Sequence, residues 1–345
     1  MKKMTVHPYL LGFGYLFLLV LLILNGASVC RGMGAAVMVC LNTMIPSLYA
    51  MMIFSELFLS CGLDRIFARA LQYPAKFLFG CSGQVLVIFL LSQVAGYPIG
   101  AKLLGTLVKD GQLTRRQASF LSGVCFGGGP AFLAGLFLEN TADLYLVFLA
   151  GFLSNLILFL CMSRFLRADA FPSEKGSCRP KGAALLVEAA CTSGRALLRI
   201  CAVVILFGGI LSLYEEIFSF LPEQDMRVIG GFAEISRITL LFPYASSKLP
   251  LLGAMLSFGG LCVLMQIAAI AGAHLHMGYV FLLRGLAAAL TAGWIALYQH
   301  LFPAQETAAA VVIFEAPPEI QVGFPLPAFL LLVMTVMLLR SSQRI

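Results

Sequence analysis

Residues 92–98 read Ser92-Gln93-Val94-Ala95-Gly96-Tyr97-Pro98, and they sit in the middle of an apolar run, 84–103. A second run, 229–247, is interrupted in the same way by Gly231-Phe232-Ala233-Glu234-Ile235-Ser236-Arg237. Glycine lowers helix propensity, and proline removes an amide donor. Broken, polar backbone inside an apolar run is tolerated at membrane depth only beside protein or a water-filled cavity. Both runs therefore read as re-entrant hairpins, each entering and leaving on one side. The fold reading depends on these two stretches, because a full span at either place would invert every later loop.

Composition sets the frame. The chain has 345 residues, 60% of them hydrophobic and 11% charged, with a mean hydropathy of +0.95. Soluble domains carry about a quarter charged residues. A soluble enzyme, a disordered chain and a disulfide scaffold are excluded. The remaining apolar runs are about 33–60, 119–138, 142–163, 186–214, 250–273, 279–301 and 323–339, after a first run at 9–25. These are of helix-span length, and no alternation marks a barrel. The fold class is an all-α integral membrane protein, with about eight transmembrane helices and two re-entrant hairpins.

Charge supports the count. With the N-terminus inside, all of the 23 Lys and Arg except Arg31, Arg227, Arg237, Lys248 and Arg284 fall on the inner side. That is the expected bias, and it puts both termini in the cytoplasm. A net charge of +7 is thus read as loop asymmetry, not as a nucleic-acid surface. Lys2 and Lys3 before the first run resemble a signal peptide, but Val29 stands where a small residue is expected, so an uncleaved helix over 1–30 is the reading. Segment 63–79 reads as an amphipathic helix in the inner interface. The polar segment 164–182 reads as a cytoplasmic linker.

The parts then repeat. Residues 31–163 hold a long helix, a hairpin, a broken helix and a span; residues 183–301 hold the same order with opposite sidedness. Residues 302–345 add an outer loop and a last helix. The broken helices share Cys125-Phe126-Gly127-Gly128 and Ser257-Phe258-Gly259-Gly260. This is an inverted repeat, a common design of secondary transporters.

Polar residues at depth are costly and become candidate ligands for a small-molecule solute. They are Ser92, Gln93, Gly96 and Tyr97 at the first hairpin; Gly127, Gly128 and Gly129 at the first break; Glu234, Ser236 and Arg237 at the second hairpin; and Ser257, Gly259, Gly260 and Gln266 at the second break. A plainer reading pairs Glu234 with Arg237 on one helix face. Lys102 reads as a snorkelling side chain. For Arg284, pairing with a carboxylate and snorkelling both stay open. Asn42 and Pro46 mark a kink, and His274-x-His276 reads as loop surface. Gly96-x-x-x-Gly100 and Gly123-x-x-x-Gly127 suit close helix packing, and glycine-rich faces permit a homo-oligomer. The ten cysteines form no C-x-x-C and read as reduced apolar residues. No H-E-x-x-H, G-x-S-x-G or P-loop occurs, so no enzyme, catalytic residue, metal or cofactor is expected.

Several motifs carry a resemblance. Ile45-Pro46-Ser47-Leu48, Phe54-Ser55-Glu56-Leu57, Gly96-Tyr97-Pro98-Ile99-Gly100-Ala101-Lys102, Ala233-Glu234-Ile235-Ser236 and Ser257-Phe258-Gly259-Gly260-Leu261 occur in order across 35–300. Together they resemble the YlbJ-like sporulation integral membrane proteins of the nucleoside recognition (Gate) domain group. That resemblance implies a core similar to concentrative nucleoside transporters. It also implies a sporulation role in moving a small solute, dipicolinate or a nucleoside-like molecule, across the cytoplasmic or forespore membrane. The alternative is a membrane scaffold or sensor in spore formation. The chain departs from the family pattern at Val124-Cys125-Phe126, where polar residues are usual, and at Ser236-Arg237.

Overall fold

The computed structural model describes Leu16 and residues 19–130, 133, 141–165, 183–235, 238 and 248–302. The 164–182 linker (beyond Phe165), Ser236, Arg237, the second arm of the second hairpin, most of the first helix and the C-terminal helix lie outside them.

Every described element is a helix, as an apolar chain demands when its backbone must bond to itself. Helix α1, Gly26–Val39, runs through Arg31. A π-turn over Cys40–Met44 then leads into α2, Ile45–Ser60, with Pro46 in its first turn. The expected kink is therefore a π-bulge, one of the few identifiable causes of helix bending. Then come α3, Leu63–Ala70; α4, Gly83–Ala95; α5, Tyr97–Lys109; and α6, Arg115–Val124. They are followed by α7, Thr141–Phe165; α8, Ala183–Ile217; α9, Glu223–Ala233; α10, Leu249–Phe258; α11, Gly260–Ala271; and α12, Met277–Leu301.

Among the described residues, four helical stretches are long and apolar enough to cross a membrane: 142–162, 184–217, 249–274 and 277–301. A fifth arises if 72–79 and 83–95, bent by 90°, count as one. Outward-facing Leu198, Leu206 and Ile210 on α8, and Phe281, Leu282 and Leu286 on α12, offer lipid an apolar surface.

The first hairpin has the form read from residues 92–98. Arms α4 and α5 are 13 residues each, about 20 Å at 1.5 Å per residue and short of a ~30 Å hydrocarbon core. They meet at Gly96, whose φ of 96° is open to glycine and strained for other residues. Ser92 and Gly100 then lie side by side: a Cβ on Gly100 would stand 2.9 Å from that of Ser92. The foot of α4 is clamped to α3. The Gln84 amide donates to the Asp64 carboxylate at 2.8 Å, and the Gly83 amide donates to Gln72 Oε1 at 3.0 Å. Ile66, Phe67, Phe77 and Leu78 stay exposed around this bend, as the interfacial reading of 63–79 requires.

Both broken helices break. Helix α6 ends at Val124, and Cys125–Gly128 leave the helical path. Helix α10 ends at Phe258, and Gly259 turns the chain at φ 83° before α11 begins. Helix α9 ends at Ala233, where Glu234 is extended. The loop after α11 is tied to the start of α6. The Arg115 guanidinium donates to the Leu275 carbonyl at 3.1 Å, and the His276 amide donates to the Ser119 hydroxyl at 2.7 Å.

Helices α1 and α8 pack closely. A Cβ on Gly208 would stand 2.6 Å from the Gly32 carbonyl oxygen, so the two backbones touch through paired glycines. Gly208→Val is expected to force α1 and α8 apart and cost about 1–3 kcal/mol as overpacking, read as a lower unfolding midpoint of purified protein.

Candidate functional site

The first hairpin tip, the end of α9 and both helix breaks meet. A Cβ on Gly129 would stand 2.9 Å from the Val94 carbonyl oxygen, and one on Gly127 would stand 3.1 Å from Gln93 Oε1. The first break thus lies against the first hairpin tip. A Cβ on Gly260 would stand 3.2 Å from the Ala233 carbonyl oxygen, so the second break lies against the end of α9. The two breaks touch each other where the Phe126 ring covers Gly259. Tyr97 spans them as well: its hydroxyl donates to the Leu256 carbonyl at 2.7 Å, and its ring lies 4.9 Å from that of Phe126.

At this crossing sits a buried polar cluster. Arg284 of α12 is fully buried. Its Nη1 and Nη2 both donate to Asn155 Oδ1, at 3.1 and 3.0 Å. Nη1 also reaches the Phe126 carbonyl at 3.3 Å, and Nη2 reaches the Ser257 hydroxyl at 3.4 Å. The guanidinium lies 4.4 Å from the centre of the Phe126 ring, within cation–π range. Asn155 of α7 donates in turn to Gln93 Oε1 at 2.9 Å and to the Phe126 carbonyl at 2.6 Å. The Gln93 amide donates to the Val124 carbonyl at 3.2 Å and to Ser92 Oγ at 3.3 Å. Backbone carbonyls freed by the break are thereby satisfied by side chains, as buried acceptors require.

In front of this cluster is a pocket with ≈ 400 Å³ of atom-free space, its open mouth included. Gln93, Tyr97, Gly127, Gly128, Asn155 and Ser257 line it, together with apolar side chains from α7 and α10. Gln93, Tyr97, Gly127, Gly128 and Ser257 are thus brought together. Gly96, Gly129 and Gly259 shape the wall by close approach. Ser92 faces inward, its hydroxyl donating to the Phe89 carbonyl at 2.7 Å.

Glu234 and Gln266 lie elsewhere. Both are buried, at 3% and 2% exposure. The Gln266 amide points to Cys262 Sγ one turn back, at 3.4 Å. Glu234 lies close enough to Cys40 and Cys262 to act on both electrostatically. Neither residue lines the pocket. Among the described residues, no group of three or more His, Cys, Asp or Glu is placed to hold a metal.

Two charged residues have partners other than those read from the sequence. Arg284 neither snorkels nor pairs with a carboxylate; the polar groups of the break hold it. Lys102 has a carboxylate partner that the snorkelling reading does not supply. Its ammonium pairs with Glu56 at 2.7 Å, with side chains 12% and 26% exposed. This pair joins the Phe54-Ser55-Glu56-Leu57 motif to the Gly96–Lys102 motif. The sequence gives Asn155 no role of its own, because its run, 142–163, reads as an ordinary span. Its amide in the middle of that run was the available signal.

Among known proteins, no family model matches the chain, and no solved structure matches it. The sporulation integral membrane protein YlbJ of Bacillus subtilis (strain 168) is 24% identical over 274 residues, covering 66% of this chain and 67% of that protein. The apolar helices and this similarity agree on an integral membrane protein.

Asn155 is the hub of the cluster, so Asn155→Leu leaves both Arg284 and Gln93 short of partners. Loss of a charge-assisted bond in a buried site costs about 3 kcal/mol. Denaturant unfolding in detergent is expected to show a loss of that size for Asn155→Leu, and a clearly smaller one for Asn155→Asp.

Proposed function

We propose that this chain is a secondary transporter of a small solute, acting in the membrane during sporulation. The convergence of the first hairpin tip, the end of α9 and both helix breaks carries this reading. A pocket is lined from both halves there, and two breaks in apolar helices are costly features for a purely structural bundle. The opposed order of parts in the two halves adds support, because inverted repeats with discontinuous helices are a recurrent transporter plan. We take the two halves as such a repeat, with a core like that of concentrative nucleoside transporters and about eight spans in the whole chain. Both termini then lie in the cytoplasm. Similarity to a sporulation integral membrane protein supports the setting.

Gln93, Tyr97, Gly127, Gly128 and Ser257 bind the solute in this reading, and Glu234, Ser236 and Arg237 of the second hairpin and Gln266 of the second broken helix contribute from the other half. The charge beside the pocket favours an anionic solute over a neutral nucleoside. Arg284 stands directly behind Asn155 and Ser257, and a buried cation projects a field that low-dielectric surroundings screen weakly. Dipicolinate, an aromatic dicarboxylate, matches that field.

A second reading, a membrane scaffold or sensor, has one observation in its favour. Many of the polar groups here are satisfied inside the protein: Ser92 by Phe89, Tyr97 by Leu256, Gln266 by Cys262. A scaffold needs no more than that.

Uptake by proteoliposomes separates the two. Labelled dipicolinate is expected to enter saturably. Gln93→Ala, which deletes a pocket wall group, is expected to cut uptake about tenfold, the effect of losing about 1.4 kcal/mol of binding. Uptake of labelled nucleosides instead would keep the mechanism and replace the solute. No uptake of either by folded protein would favour the scaffold.

A further inference from the structure

Arg284 does not line the pocket; it stands one layer behind. Its guanidinium fills a cage of oxygens from three separate elements. These are the Phe126 carbonyl at the first break, Asn155 Oδ1 on α7 and Ser257 Oγ on α10. The Phe126 ring closes one face. Among the described residues, none of these partners is a carboxylate, so dipoles alone oppose the charge.

That oxygen set has a recognisable chemistry. Carbonyls beyond the last turn of a helix lack amide partners and carry partial negative charge. In transporters with broken helices, such carbonyls coordinate the coupling cation. Hard cations such as Na⁺ seek the same ligands: carbonyl, amide and hydroxyl oxygens. Here the cage lies between the break after α6, the middle of α7 and the end of α10, and a cation of the chain's own occupies it. A dissolved cation has no room beside it, since like charges at such contact repel strongly in a buried site.

We propose that Arg284 is a tethered cation that takes the place of a dissolved coupling ion, so that the chain holds its cage together and binds its solute without Na⁺. The consequence for transport rests on the transporter reading above; the cage itself does not. A tethered charge stays through every step of a cycle. The pocket then remains attractive to anions whatever the ionic composition on either side. The guanidinium also joins α6, α7, α10 and α12 at one point, as a bound ion would.

The test uses purified full-length protein at constant ionic strength, in sodium chloride and in choline chloride. The unfolding midpoint of the wild type is expected to be the same in both salts. Arg284→Ala empties the cage and is expected to have a lower midpoint in choline, which sodium raises by about 4 °C, the scale for a ligand held by the folded state alone. Arg284→Lys keeps a point charge in the cage and is expected to remain indifferent to sodium. Sodium raising the wild type as much as Arg284→Ala would overturn the proposal. So would an Arg284→Ala protein that no alkali cation stabilises. If Arg284→Ala does not fold, the wild type and Arg284→Lys decide: indifference of both supports the tethered cation, and stabilisation of either by sodium overturns it.

Dipicolinate uptake gives an independent readout. Equal rates for the wild type in sodium and in choline support the proposal, and a tenfold fall in choline overturns it. Absence of uptake in every medium counts against the transporter reading alone. The unfolding midpoints then still decide the cage.

Discussion

One buried charge organises the centre of this molecule. Arg284 is fully buried, and an arginine at such depth costs several kcal/mol unless its donors are met. The chain meets those of Nη1 and Nη2 with a backbone carbonyl at the first break, an amide oxygen on α7 and a hydroxyl on α10, while Nε has no hydrogen-bond partner among the described residues. Each of those partners is available for a structural reason. The Phe126 carbonyl is free because the helix before it has ended. Ser257 sits one residue before the second helix ends. Asn155 presents its oxygen to Arg284 because its amide group is committed to Gln93 and Phe126. The two helix breaks and the buried cation therefore sustain each other. An unbroken α6 would keep its carbonyls, and a neutral residue at 284 would take from Asn155 Oδ1 its bonds to Arg284 and from the Phe126 carbonyl one of its two donors.

Glycine makes this arrangement sterically feasible. The first break contacts the hairpin tip through Gly127 and Gly129; a Cβ would be crowded at Gly127 and has no space at Gly129. Gly100 backs onto the Cys125 carbonyl, and Gly123 onto Leu283 of α12. In a membrane, hydrophobic burial does little to hold apolar helices together, so van der Waals contact at close approach carries more of the load. The same residues that weaken α6 and α10 as helices let them pack against a hairpin tip and against each other. Polar satisfaction and close packing are thus two results of one set of small residues.

The ion pair between Lys102 and Glu56 works at longer range. It ties the second arm of the first hairpin to α2, across a sequence separation that holds α3 and α4. Helix α3 is bonded to the foot of α4 and keeps an apolar surface toward the outside. The hairpin is therefore anchored at its foot by α3 and along its second arm by an ion pair. Its tip rests on the first helix break. Any motion of the tip has to be accommodated at Gly96, where the two arms join.

The helical class, a kink near Asn42, the hairpin at Gly96 and both helix breaks were legible in the residues alone. They depend on local chemistry: length of apolar runs, loss of an amide at proline, freedom of φ at glycine. Such features act over one or two turns and leave a mark in one stretch of chain. The identity of the central cluster was legible only in part. Gln93 and Ser257 stood out as polar groups at marked breaks, but Asn155 lay in a run with no breaker. Arg284 allowed two readings, because a lone cation in an apolar span shows neither its depth nor its neighbours. By itself the sequence determined where the backbone must bend and which polar groups must be buried. Only the tertiary structure decided which of those groups face one another, because partners 129 residues apart, such as Arg284 and Asn155, are chosen by helix packing and not by spacing along the chain.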